Sequence, residues 1–171
     1  MDRPEKRGKQ AAINGFAHEH IVAGILMKKL QNVSLVDLPL SPYDLIIAIK
    51  EKNGQEKIIR AQVKTAKRSI SFIGGSRGGV DRKYISGVKE YVQSTLTSDV
   101  IIGVHPLGND SYELYFVPTI LIEQLNQKSI SINKISLLKN NYEMLKRCKD
   151  RDFVLKKCKE YGILKDSSGS K

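Results

Sequence analysis

Asp44, Gln62 and Lys64 are of the types, and at the spacing, that phosphodiester chemistry uses. They lie in the segment PYDLIIAIKEKNGQEKIIRAQVKTAK, residues 42–67. Asp44 leads into the apolar run Leu45-Ile46-Ile47-Ala48-Ile49, and Asn53-Gly54 gives a turn before Ile58–Thr65, so the segment predicts a two-stranded hairpin. Side chains alternate along a strand, which puts Arg60, Gln62 and Lys64 on one face and Ile59, Ala61, Val63 and Thr65 on the other. A carboxylate entering an apolar strand needs a cation or hydrogen-bond donors, and magnesium, a hard cation, takes oxygen ligands. An ammonium group at Lys64 would orient or deprotonate an attacking water and neutralise charge on phosphoryl oxygens. Gln62 brings an amide oxygen without charge, and the backbone carbonyl of Val63 is a further oxygen ligand in reach of the same point.

A second carboxylate comes from Glu19. It follows Phe16 by three residues and precedes Ala23 by four, which predicts a place on the core-facing side of a first helix, where a carboxylate must be paired or close to metal. His18 and His20 flank it but point to different sides of a helix, so they are expected to be structural or to meet phosphate rather than to chelate one ion.

These side chains need a scaffold. A helix is expected from Asn14, as N-cap, to about Gln31, with Phe16, Ala23, Leu26, Met27 and Leu30 inward. Residues 33–38 predict a short strand, followed by the hairpin. Residues 70–73 predict another strand, and 83–97 a helix with the stripe Ile85, Val88, Val92 and Leu96. Val100–His105 is an apolar run suited to a central strand, Tyr112–Val117 an alternating one, and 118–127 a helix with Pro118 in its first turn. Basic helices are expected between Leu137 and Tyr161. The pattern is α/β: a mixed central sheet flanked by helices in the order αβββαβ, with C-terminal helices. The expected domain plan is a mobile basic N-terminus over 1–13, a single domain over 14–164 (core 14–118, helical part 119–164) and a disordered tail over 165–171.

The charge of +11 is unevenly spread. Residues 50–90 carry eleven Lys and Arg against four Asp and Glu, and a smaller excess recurs after residue 140. That field suits a polyanion, nucleic acid first. The loop with Gly74, Gly75, Arg77, Gly78 and Gly79, flanked by Lys67, Arg68, Arg82 and Lys83, is the expected DNA-contacting element. Cys148 and Cys158 are too few and too far apart for a structural zinc site. With no apolar run near membrane-spanning length and no apolar leader, a soluble cytoplasmic protein is expected.

A helical Glu, an Asp at a strand start and an amide-x-Lys on the next strand resemble the PD-(D/E)XK nuclease superfamily, which includes restriction enzymes, Holliday-junction resolvases and phage exonucleases. Pro42-Tyr43-Asp44 stands at the first element with one residue intervening, and Gln62-Val63-Lys64 at the second. The resemblance covers roughly residues 14–105 and departs at Gln62, where most members carry an acid; active members with Gln are known, including some homing endonucleases and the cutting subunit of a transposase. It implies a restriction-endonuclease-like core and a magnesium-dependent endonuclease of the restriction type, with manganese substituting. Catalytic residues would be Glu19, Asp44, Gln62 and Lys64, and metal ligands Asp44, Gln62, Val63 and Glu19. Double-stranded DNA would be cut to a 5′-phosphate and a 3′-hydroxyl. Small members often dimerise to cut both strands, with the 85–96 stripe as the expected interface. The alternatives are a junction-resolving nuclease and an inactive DNA-binding protein on the same fold.

Overall fold

The computed structural model describes residues 4–38, 40–75 and 89–165. A long helix α1 (Pro4–Leu30) opens the chain and is followed by β1 (Val33–Leu35), β2 (Leu45–Lys50) and β3 (Glu56–Thr65). The short strands β4 (Ser69–Ser71), β5 (Ile73–Gly74) and β6 (Tyr91–Val92) lead to the long pair β7 (Val100–Gly108) and β8 (Ser111–Pro118). Then come α2 (Thr119–Leu125), β9 (Ser129–Ser131), a 3-10 segment (Ile132–Leu138), α3 (Tyr142–Lys146) and α4 (Arg151–Glu160).

The central sheet is mixed, in the order β1-β2-β3-β7-β8. All its pairings are antiparallel except β3 with β7, where Gln62 stands opposite Ile101 and Lys64 opposite Gly103. Strand alternation sends the two sets of side chains to two cores. Leu45, Ile47, Ile59, Ala61, Val63, Val100, Ile102 and Val104 pack with Val22, Ala23 and Leu26 of α1. Ile101, Tyr115 and Val117 pack on the other face with α2, α4 and the 3-10 segment. The expected α/β architecture, a central mixed sheet flanked by helices, is what forms. Among the described residues no helix is long and apolar enough to cross a membrane.

Three expectations change. The first helix starts at Pro4 rather than Asn14, with proline in the first turn, where its missing N–H costs nothing. Its buried stripe is His18, Val22, Ala23 and Leu26, whereas Phe16 is 65% exposed and lies against His20. The helix expected over 83–97 is not continued in its described part: Tyr91–Val92 pairs with Ile73–Gly74, and residues 95–97 form a turn. The Thr97 hydroxyl accepts from the Ser94 N–H, a local hydroxyl-backbone pairing that competes with helix. With Leu96 on that turn rather than on a helix face, the expected dimer surface loses its basis; Ile85 and Val88 lie outside the described residues.

Two lysines tie β3 to the C-terminal helical part. Lys57 donates to the carbonyl of Lys146 at the end of α3, and Lys149 to the carbonyl of Ile58. Cys148 and Cys158 are buried in different clusters, and burial pushes both thiols up to about 12, which makes them packing residues.

Gly103 marks the tightest approach across the sheet. A Cβ there would meet the Cδ1 of Ile70 and come within 2.9 Å of its Cγ1, in a site where Ile70 is fully buried. Gly103→Ala is therefore expected to lower stability by about 1–3 kcal/mol in urea unfolding. Gly24→Ala on α1, with nothing within 4 Å, should be neutral or raise stability by about 0.5–1 kcal/mol.

Candidate active site

The residues singled out in the sequence converge where β2 begins and β3 ends. Asp44 sits one residue ahead of β2, its N–H bonded to the Ala61 carbonyl at 2.9 Å, which fixes its backbone beside β3. Its Oδ2 accepts from the side-chain amide of Gln62 at 2.7 Å and from the Val63 N–H at 2.8 Å. Lys64 is close enough that its charge pulls the Asp44 pKa down, and Asp44 in turn raises that of Lys64; burial is the larger influence on both. The net result is an acid shifted up and an ammonium shifted down, each nearer to sharing a proton than in water.

Glu19 reaches the same region from α1. Burial first, then the Asp44 charge, push its carboxyl up to about 7, against a smaller opposing influence from His20. Two desolvated carboxylates, one of which raises the pKa of the other, are a poor arrangement for a protein alone and a good one for a hard divalent cation. Among the described residues no group of three or more His, Cys, Asp or Glu gathers as a metal cluster, so such a cation would rest on this pair and complete its shell with backbone, water or phosphate oxygens.

Gln62 enters differently from the expectation of an amide oxygen turned to metal. Its nitrogen faces Asp44, and its oxygen accepts from Gln93 Nε2 at 2.9 Å. His18 is a structural residue: buried, shifted down by burial, and hydrogen-bonded through Nδ1 to the Thr65 hydroxyl at 2.7 Å, it ties α1 to the end of β3. His20 lies on the exposed side, bonded to the Phe16 carbonyl.

Sequence reasoning missed Tyr91 and Gln93. Both sit on one side of the short β6 strand and its continuation, and Asp44 raises the Tyr91 pKa behind a larger influence of burial. Gly74 and Gly75, expected to approach phosphates, instead cradle the Tyr91 ring: a Cβ at Gly74 would lie 2.7 Å from its Cζ, and Gly75 has φ +82°. A Gly-Gly step ahead of an aromatic was the available signal, but nothing in the sequence showed that their strands pair.

Lys67 and Arg68 are exposed just beyond Lys64. They line a groove of about 690 Å³ with Ala11, Asn14, Thr65 and Ser69, formed by α1 and the chain at the end of β3. The remaining residues expected to contact DNA, Arg77, Arg82 and Lys83, lie outside the described residues.

The raised Glu19 pKa fixes a pH dependence. Between its ordinary 4.5 and about 7 the folded protein binds the proton that the unfolded chain has released, so stability falls as pH rises through that window. Thermal melts of the metal-free protein should show Tm dropping from pH about 4.5 to about 7 relative to Glu19→Gln, in which that component vanishes. Magnesium or manganese should raise Tm most above that window and do so only with Glu19 and Asp44 intact.

No protein-family model matches this chain, and no curated protein does. Among solved structures it is similar to that of a bacterial homing endonuclease, with a TM-score of 0.46 and 12% identity over 70% of this chain and 76% of that one. At that level of identity and overlap the reading of function rests on the residues of the site itself.

Proposed function

We propose that the protein is a magnesium-dependent DNA endonuclease of the PD-(D/E)XK, restriction-enzyme type, with manganese able to substitute. The observation that carries the reading is the meeting of Asp44, Gln62, Lys64 and Glu19 at one point, with two carboxyls and an amine all desolvated. Asp44, Glu19 and the Val63 carbonyl would hold the cation, which when bound polarises the scissile phosphate and acidifies a water. Lys64, whose ammonium burial weakens, orients that water and compensates charge on the phosphoryl oxygens. Gln62 holds Asp44 in place through its amide hydrogen bond. His18, by fixing Thr65, keeps α1 and therefore Glu19 against the end of β3. Lys67 and Arg68 in the adjoining groove meet the backbone of double-stranded DNA, and the product carries a 5′-phosphate and a 3′-hydroxyl.

One observation favours a second reading, a DNA-binding protein without catalysis: the site holds two carboxylates rather than three, with a neutral amide between Asp44 and Gln93. Cleavage of supercoiled plasmid decides between them. The parent should nick or linearise it with magnesium or manganese and not with EDTA. Asp44→Ala and Lys64→Ala should each lose at least about 100-fold in rate while keeping DNA affinity within a few-fold. Intact plasmid and intact branched DNA under all conditions, with undiminished and salt-sensitive binding, would leave the binding protein.

A further inference from the structure

Gln93 is 1% exposed and is the hub of a buried polar network. Its Nε2 donates to the Pro42 carbonyl at 3.2 Å and to the Gln62 Oε1 at 2.9 Å, and its Oε1 accepts from the Ser98 hydroxyl at 2.9 Å and from the Thr97 hydroxyl. A carboxamide can be turned end for end at little cost in shape, so which end faces a neighbour depends on what that neighbour can do. The Pro42 carbonyl can only accept. It therefore requires the nitrogen of Gln93 on its side, and the same nitrogen faces Gln62. Gln62 must answer with its oxygen, which leaves its nitrogen for Asp44. Turning Gln62 around would set nitrogen against nitrogen at Gln93 and oxygen against the Asp44 carboxylate. Turning both amides would set the Gln93 oxygen against the Pro42 carbonyl. The two hydroxyls at the far end rotate to suit either arrangement, so they do not choose the direction; Pro42 does.

We propose that Gln93 is a positioning residue for Asp44: anchored on the Pro42 carbonyl, it forces Gln62 to act as a neutral hydrogen-bond donor to the Asp44 carboxylate and not as an oxygen ligand to a cation. The proposal rests on the cation-dependent reading of the Asp44 site. It deepens that reading by assigning the place where the superfamily pattern has an acid. Oδ2 of Asp44 is taken by Gln62 and the Val63 N–H, which would leave Oδ1 and Glu19 as the carboxylate oxygens open to a cation. Strand β6 thereby takes a part in the site: Tyr91 on its Gly74-Gly75 cradle sets the strand, and Gln93 follows two residues on.

The test is a nuclear magnetic resonance spectrum of the ¹⁵N-labelled, metal-free full chain, following the side-chain amide protons of Gln62, beside Gln93→Leu and Gln93→Met. In the parent one Gln62 amide proton should lie downfield and exchange slowly with water, as a donor to a carboxylate does. In Gln93→Leu it should return to the ordinary position and exchange roughly tenfold faster, as one lost hydrogen bond implies. Manganese should bind several-fold more weakly by calorimetry. Should Gln93→Leu fail to fold, Gln93→Met, of similar length and flexible, removes the amide from Pro42 and Gln62 without offering them a new acceptor, and the same change is expected. A Gln62 amide signal that is ordinary in the parent, or unchanged in shift and exchange in the folded variants, overturns the proposal. DNA cleavage by the same samples is a separate readout. A parent that never nicks DNA removes the nuclease reading, while the Gln62 signal still decides whether Gln93 sets its direction.

Discussion

Arg60 and Asp99 clasp the parallel pairing of β3 with β7, on which the site depends. Asp99 accepts the Arg60 backbone N–H at 2.8 Å and its guanidinium at 3.2 and 2.9 Å, and returns its own N–H to the Arg60 carbonyl. With Asp99 only 7% exposed, these bonds satisfy a carboxylate that could not otherwise be buried. A parallel pair has no tight turn to set its register, so a residue just ahead of β7 that binds both backbone and side chain of β3 takes that part. One residue of slip would exchange the faces of Gln62 and Val63, turning the amide toward α1 and Val63 out of the core.

The same register explains how one strand serves a core and a site at once. Ile59, Ala61 and Val63 are held under α1 by apolar packing, which is strong and unspecific in detail. Arg60, Gln62 and Lys64, on the other face, each find a polar partner: Asp99, then Asp44 with Gln93, then the Asp44 charge. Burial of Val63 at 8% exposure places its N–H where Asp44 can accept it. Core packing thus fixes the reactive groups, and the polar network costs little because its donors and acceptors are matched.

Electrostatically the site is unfinished by design of its residues. Desolvation is the larger cause of the shifts at Asp44, Lys64 and Glu19 alike, and the attractions among them do not offset it. Groups that would titrate far from neutral pH in water are brought toward it, a property of buried polar clusters. Lys67 and Arg68 add positive charge to the groove at the end of β3.

The hairpin, its alternation, the apolar β7 run and the grouping of Asp44, Gln62 and Lys64 were legible in the sequence because each depends on period-two patterning and a local turn. Glu19 was legible for a similar reason, since one helix face carries it, although Phe16 on the proposed inward stripe turned out exposed. What the sequence could not reveal depends on contacts between distant segments. Residues 89–97 carry a helical pattern, yet the hydroxyl-backbone bond of Thr97 with Ser94 and pairing with Ile73–Gly74 win. The direction of the Gln62 amide is the sharpest case. The Asp44 carboxylate asks for a donor, and Gln93 with the Pro42 carbonyl, 31 and 20 residues away in sequence, fixes the other end of the same amide, an agreement that no local pattern displays. The chain by itself determined which groups could do chemistry and which strand faces they share. Tertiary structure alone decided their desolvation and hydrogen-bond direction, because both depend on what surrounds a group and not on the residues beside it in the chain.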